Sequence, residues 1–281
     1  IKYSGLPLIV AIDQEGGPVV RLKAGFPVFP GAAILGAAAN LEKTRTTAQA
    51  LAKALLEIGI NCNLAPVADL FQASSRVLRD RCFGADPELV ADQVKAYIEG
   101  LQCSGIAACV KHFPGHGTVV EDSHKMLPVS HLERSNLAPH LIPFAAAIAA
   151  DVKIMMAAHL KFPVIDSRSV PFSPFFLNEI ARLELGFSGL MISDDLDMAA
   201  VAGRPLAQVM VEGVKAGLDM ALWGRNLKPV ADPKPVMADF CQNMQNCGLS
   251  KELLQDKIER IRLLRSSLLD KIELVRGQNL F

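Results

Sequence analysis

Six short apolar runs recur along the chain, and their spacing limits the folds open to it. They are "LPLIVAID" (6–13), "GINCNLAPVADL" (59–70), "IAACVKHF" (106–113), "KIMMAAHL" (153–160), "GLMISDDL" (189–196) and "DMALWG" (219–224). Most are continuous rather than alternating, which is the pattern of strands covered on both faces of a parallel sheet. Helical patterns separate them. "LEKTRTTAQALAKALLEIG" precedes the second run. "DPELVADQVKAYIEGLQCSG" precedes the third, with Asp86 placed as N-cap and Pro87 at the first helical position. "SPFFLNEIARLELG" and "PLAQVMVEGVKAG" precede the fifth and sixth, each closed by a glycine. Repeated units of this kind predict an α/β fold.

The runs are spaced by roughly thirty to fifty residues, the size of a unit in a (β/α)₈ barrel. Polar residues gather at the carboxyl ends of almost all of them: Asp13, Asp69, Lys111 with His112, His159 and Asp194. A ring of that kind is where a barrel carries its active site, whereas an open doubly wound sheet concentrates its site at one switch point. The expected architecture is therefore a TIM-type (β/α)₈ barrel in a single domain, with no repeats and no linker. A closed barrel needs eight strands, and a first strand ahead of Ile1 is expected. The last segment places Leu254, Ile258, Ile261, Leu264, Leu268, Ile272 and Val275 at spacings of three and four. It predicts an amphipathic helix whose interleaved acids and bases form a solvated outer face.

The totals exclude some function classes. At 281 residues, 51% of them hydrophobic, the chain is long enough to bury a large core. Its formal net charge is zero, which argues against a nucleic-acid partner. No apolar run reaches the length of a membrane span. The opening "IKYSGLPLIVAIDQEGG" runs from a short apolar stretch into charge and reads as a barrel strand rather than a signal peptide. Six scattered cysteines, with no CxxC pair among them, read as reduced thiols and a cytoplasmic setting. A monomer is expected.

"KHFPGHGTVVEDSH" (111–124) holds three of the six histidines. It fails as a phosphate cradle. Gly115-His116-Gly117 starts like a dinucleotide fingerprint, but Val120 stands at the third glycine position. His112 and His116 have the spacing of a helical zinc pair, yet Pro114 and Gly115 break a helix there. A metal site assembled from His112, His124, His159 and Asp194 stays as the alternative, and no cofactor is expected. Proton transfer fits better. In an extended loop, Asp122 and His124 point the same way, and a carboxylate beside an imidazole orients it and stabilises its charged form. In "MISDDLDM" a buried strand ends in two acids. Asp195 suits a helix N-cap, and Asp194 suits a nucleophilic carboxylate.

"DQEGG", "NLAPVADL", "RDRCFG", "KHFPGHG", "DSH" and "SDDLDM", in this order, resemble the catalytic barrel of glycoside hydrolase family 3. The similarity runs from about Leu6 to Trp223 and is strongest to the bacterial β-N-acetylglucosaminidases of cell-wall recycling. It implies a retaining exo-acting enzyme that takes N-acetylglucosamine from muropeptides, a small carbohydrate substrate. By the family pattern Asp194 is the nucleophile, His124 the general acid/base and Asp122 its partner. Asp13, Arg21, Arg81, Lys111 and His112 hold the sugar hydroxyls or shape their surroundings. The residue types suit the task. Carboxylate, guanidinium and lysine give a neutral sugar directional bonds, and retention needs a carboxylate on one side of the anomeric centre and an acid on the other.

The chain departs from the pattern in two places. Thr118-Val119 stands where Asp-Thr is usual, and Pro18 where Arg is common. The competing readings are a phosphorylase, another family 3 β-glycosidase, a metal-dependent barrel hydrolase and an inactive sugar-binding barrel.

Overall fold

The computed structural model describes residues 2–3, 6–72, 75, 78–119, 126–198, 203–224 and 232–278. Five parallel strands form the central sheet: β3 (Ala11–Ile12), β4 (Cys62–Asn63), β5 (Ala107–Phe113), β6 (Ile154–Ala157) and β9 (Leu190–Ser193), paired in that order. A single parallel bridge between Ile192 and Met220 adds a sixth segment. All six apolar runs thus contribute to one curved sheet. Among the described residues it makes a half-barrel, not the closed eight-stranded barrel expected from the sequence. Two antiparallel hairpins lie outside it, β1 (Lys2–Tyr3) with β2 (Leu6–Pro7), and β7 (Lys161–Phe162) with β8 (Asp166–Ser169).

The strands are short as ladders, but their backbone bonding runs on. Ala107, Cys109 and Lys111 donate to the carbonyls of Asn61, Ala65 and Pro66, and Ala68 donates back to Lys111. The second run therefore accompanies β5 to its polar end. Side chains alternate between two cores, as a pleated strand requires. Ala108, Val110, Met155, Ala157 and Met191 face outward into the larger core. Against them pack helices α2 (Leu41–Glu57), α3 (Pro87–Cys103) and α4 (Arg134–Ala149). Cys62, Leu64, Cys109, Ile154, Met156, Leu190 and Ile192 face the concave side.

The remaining helices are α1 (Ala32–Ala38), α5 (Leu206–Ala216), α6 (Pro233–Asn246) and α7 (Lys251–Gln278), with a π-helix over Phe175–Glu184. Asp86 caps α3 as the sequence predicts, its side chain accepting from the Leu89 N–H at 2.8 Å. Glycine follows the π-helix at Gly186 (φ 76°) and closes α5 at Gly217 (φ 135°), backbone that residues with a Cβ rarely adopt.

Helix α7 corrects one expectation. Leu264 and Leu268 pack on the concave side of the sheet, but Ile258 is 54% exposed. Lys257 and Arg260, expected on the solvated face, turn inward. Lys257 donates to the Leu218 carbonyl at 2.8 Å, and Arg260 donates twice to Asp219 at 2.7 and 3.0 Å. Arg182 of the π-helix reaches the same carboxylate at 2.7 Å, and the Met191 N–H does so at 2.8 Å. The cause is Asp219, whose side chain is fully buried. A buried carboxylate needs cations and N–H donors, and that need outweighs the apolar spacing of the helix. The helix register is set by this ion cluster.

Candidate active site

The turn after β3 carries the first part of the site. Gly16 and Gly17 have positive φ (84° and 58°), and a Cβ on Gly16 would press on the Pro30 carbonyl. Asn63 holds the turn from the neighbouring strand, accepting from the Gln14 N–H at 3.1 Å and donating to its carbonyl at 2.9 Å. The Gln14 side chain accepts from the N–H groups of Arg21 and Leu22. Asp13 and Glu15 are thereby fixed at the carboxyl end of the sheet.

Lys111 reaches both acids. Its ammonium lies 2.7 Å from Asp13 and 2.6 Å from Glu15, with the side chain only 3% exposed. Arg81 grips Glu15 with two parallel bonds, Nε at 2.9 Å and Nη2 at 2.8 Å. Arg21, more than half exposed, stands 3.6 Å from Asp13. Burial alone would raise the Glu15 carboxyl, but Lys111 and Arg81 overcome it and hold the pKa at about 2. Burial likewise works against the charge on Lys111, and Glu15 and Asp13 outweigh it, so its pKa is raised. Glu15 and Lys111 are both ionised across the physiological range. Asp13, Arg21, Arg81 and Lys111, expected from sequence, therefore come together. Glu15, the shared partner of Arg81 and Lys111, carried no expected role. Its place in "DQEGG" beside Asp13 was the available signal.

His112 begins a second cluster. The Asp69 carboxylate, fully buried, lies 2.7 Å from His112 Nδ1 and also accepts from the backbone N–H of His116 at 2.6 Å. Burial would raise Asp69, but His112 and the His116 N–H keep its pKa below the ordinary value. An ionised carboxylate only accepts, so His112 Nδ1 carries the proton. The turn His116–Thr118 sits tightly on the segment that carries Asp69, where a Cβ on Gly117 would collide with the Leu70 carbonyl. Thr118 bonds the Gly115 carbonyl at 3.0 Å and Val119 is buried. The Thr-Val pair thus serves the turn and the core.

Asp194 follows β9 in register. The alternation that puts Leu190 and Ile192 on the concave side carries on to it. Burial pushes its carboxyl up. His112, His159, the Asp195 N–H at 2.8 Å and Lys111 outweigh that, and the pKa is lowered. His159, buried at the end of β6, donates from Nε2 to the Asp195 carbonyl at 3.1 Å, since a carbonyl only accepts. Burial keeps its pKa below the ordinary value, against the pull of Asp194. Asp195 is occupied differently. Its Oδ1 accepts from the N–H groups of Asp197 and Gly224, both at 2.9 Å. It caps a turn at 196–198, where the sequence predicts a helix N-cap and no helix starts among the described residues, and Asp194 is the carboxylate left facing the lysine and histidines. Asp122 and His124 lie outside the described residues. Among the described residues no group of three or more His, Cys, Asp or Glu side chains is placed to hold a metal ion, and no helix is long and apolar enough to cross a membrane.

Fold and site define a class: a parallel α/β half-barrel whose charged groups converge at the carboxyl ends of its strands. The chain belongs to glycosyl hydrolase family 3; the pattern of the Glycosyl hydrolase family 3 N terminal domain matches residues 2–264. It is 40% identical over 220 residues to a protein of Thiobacillus denitrificans named beta-hexosaminidase, covering 76% of this chain and 60% of that protein. It is 37% identical over 245 residues to the beta-hexosaminidase of Alkalilimnicola ehrlichii, covering 82% and 70%. Among solved structures it resembles a glycoside hydrolase family 3 beta-N-acetylglucosaminidase from Paenibacillus sp. str. FPU-7. The TM-score is 0.87 at 33% identity, over 94% of this chain and 51% of that one. The chain thus spans about three fifths of the first relative and half of the solved one.

Proposed function

We propose that the chain is the catalytic part of a retaining exo-β-N-acetylglucosaminidase that removes N-acetylglucosamine from peptidoglycan fragments. The observation that carries this reading is the carboxylate of Asp194 at the carboxyl end of β9, its charge favoured by His112, His159 and Lys111, in a family 3 chain whose relatives are named beta-hexosaminidase. In this reading Asp13, Arg21, Arg81, Lys111 and His112 bind or border the sugar hydroxyls. Asp194, ionised at neutral pH, attacks the anomeric carbon while His124, oriented by Asp122, protonates the leaving oxygen. A covalent glycosyl-enzyme forms, and His124 then takes a proton from the water that releases the sugar. The chain acts as a single-domain monomer without a cofactor. Six free thiols favour a cytoplasmic setting.

The test compares nitrophenol release from the β-N-acetylglucosaminide and the β-glucoside. The acetamido sugar is expected to be the better substrate. A clear preference for the glucoside overturns the reading.

A further inference from the structure

We propose that Asp69 is a positioning residue that fixes the tautomer of His112 and, with it, the hydrogen-bonding character His112 shows to the substrate. The inference rests on the proposed function only in placing a sugar against His112. Its basis is the division of labour on one buried carboxylate. Oδ1 of Asp69 accepts from the His116 N–H at 2.6 Å and stands 3.4 Å from the His112 N–H. Oδ2 stands 3.3 Å from the His112 N–H and 2.7 Å from His112 Nδ1. The backbone donors cannot change character. Both oxygens are therefore held as acceptors, and Nδ1 must donate. Nε2, on the far side of the ring, bonds no described residue and is left for the site. While the ring is neutral, Nε2 is an acceptor, suited to a hydroxyl that donates.

Exchanging Asp69 for asparagine makes the argument testable. The side chain keeps its shape but has one oxygen and one NH₂. The His116 N–H, at the shortest distance, claims the oxygen. The NH₂ then faces His112 Nδ1, which can meet it only by giving up its proton. The proton moves to Nε2, and the site-facing nitrogen turns from acceptor to donor. A residue that merely filled the core would leave the tautomer unchanged.

The experiment is ¹⁵N NMR of the histidine side chains, at a pH where the ring is neutral, on the wild-type chain and Asp69→Asn. The His112 signals are assigned by their loss in His112→Gln. The wild-type chain is expected to show the proton on Nδ1, and Asp69→Asn to show it on Nε2. With the β-N-acetylglucosaminide, Asp69→Asn is expected to lose on the order of tenfold to a hundredfold in kcat/KM, the scale of a misplaced site group. A proton on Nε2 in the wild-type chain overturns the proposal without need of any variant. So does an unchanged tautomer in a folded Asp69→Asn, or a reversed tautomer with unchanged kcat/KM. A wild-type chain inert on the glycoside would sink the proposed function instead, and the tautomer would still decide whether Asp69 sets the ring.

Discussion

The Lys111 ammonium and the Glu15 carboxylate meet at 2.6 Å, both almost wholly buried. Glu15 also takes the paired bonds of Arg81, and Lys111 also reaches Asp13. One buried carboxylate therefore anchors two cations that the sequence marks out for the substrate. Grip on the sugar and stability of the fold share the same groups.

Acid should reveal this sharing. Glu15 has a folded pKa of about 2 against an ordinary 4.5. A depressed carboxyl stabilises the fold above its unfolded pKa, and the contribution is lost as pH falls from about 4.5 toward 2. The difference corresponds to about 3 kcal/mol. Urea unfolding between pH 6 and pH 2.5 should show a steep loss in the wild-type chain and a shallower one in Glu15→Gln. Parallel curves would remove Glu15 as the cause.

Lys111→Ala and Arg81→Ala should cost stability as well as binding. Each leaves a buried carboxylate short of a cation, at about 3–5 kcal/mol, beyond the ~1–3 kcal/mol expected for a lost charged hydrogen bond to substrate. Arg21→Ala is the control, since its guanidinium is more than half exposed and only 3.6 Å from Asp13. It should raise KM with little change in Tm. Equal Tm losses in all three would contradict the burial argument.

Asp194→Ala should abolish turnover while the chain still folds, because the half-buried carboxylate is no core contact. A fluorinated sugar should label Asp194 and not Asp195, whose Oδ1 is held by two backbone N–H groups. His124→Ala should slow substrates with poor leaving groups far more than activated aryl glycosides, which need little protonation. Equal losses would mean that His124 positions the sugar.

Asp219→Ala should loosen the last helix. It strands Arg182 and Arg260, and it leaves Lys257 near no carboxylate among the described residues. The expected cost is about 3–5 kcal/mol, read in urea unfolding. Activity in the folded fraction should persist, because the cluster lies away from Asp194, at the start of the 219–224 run.

The parts legible in the sequence are those whose signal is local. Continuous apolar runs marked the strands, and Asp86-Pro87 marked the start of α3. Helix α4 was illegible because Pro139 and Pro143 lie inside it and apolar residues cover most of its faces, hiding the buried stripe of Leu137, Leu141 and Phe144. The inward turn of Lys257 and Arg260 was hidden for another reason: the carboxylate that draws them in, Asp219, lies 41 residues before Arg260, outside the helix. Glu15 shows the same limit at the site. "DQEGG" announces a turn and acids, but not which acid meets Lys111. Lone residue types reveal candidate chemistry, and only the fold reveals which charge answers which.

The thiols on the concave side of the sheet give the molecule a built-in gauge of its own opening. Cys62 and Cys109 are sealed there, and Cys82 is sealed near Asp69. Burial, aided by Asp13, pushes Cys62 up to about 12, and burial raises the other two as well. None offers a thiolate to an alkylating reagent while the sheet is intact. Cys103 and Cys241 are exposed and should react first. Slow labelling of Cys62 and Cys109 therefore times how often the concave core opens, by lifting of α7 or parting of strands, with no probe added to the chain.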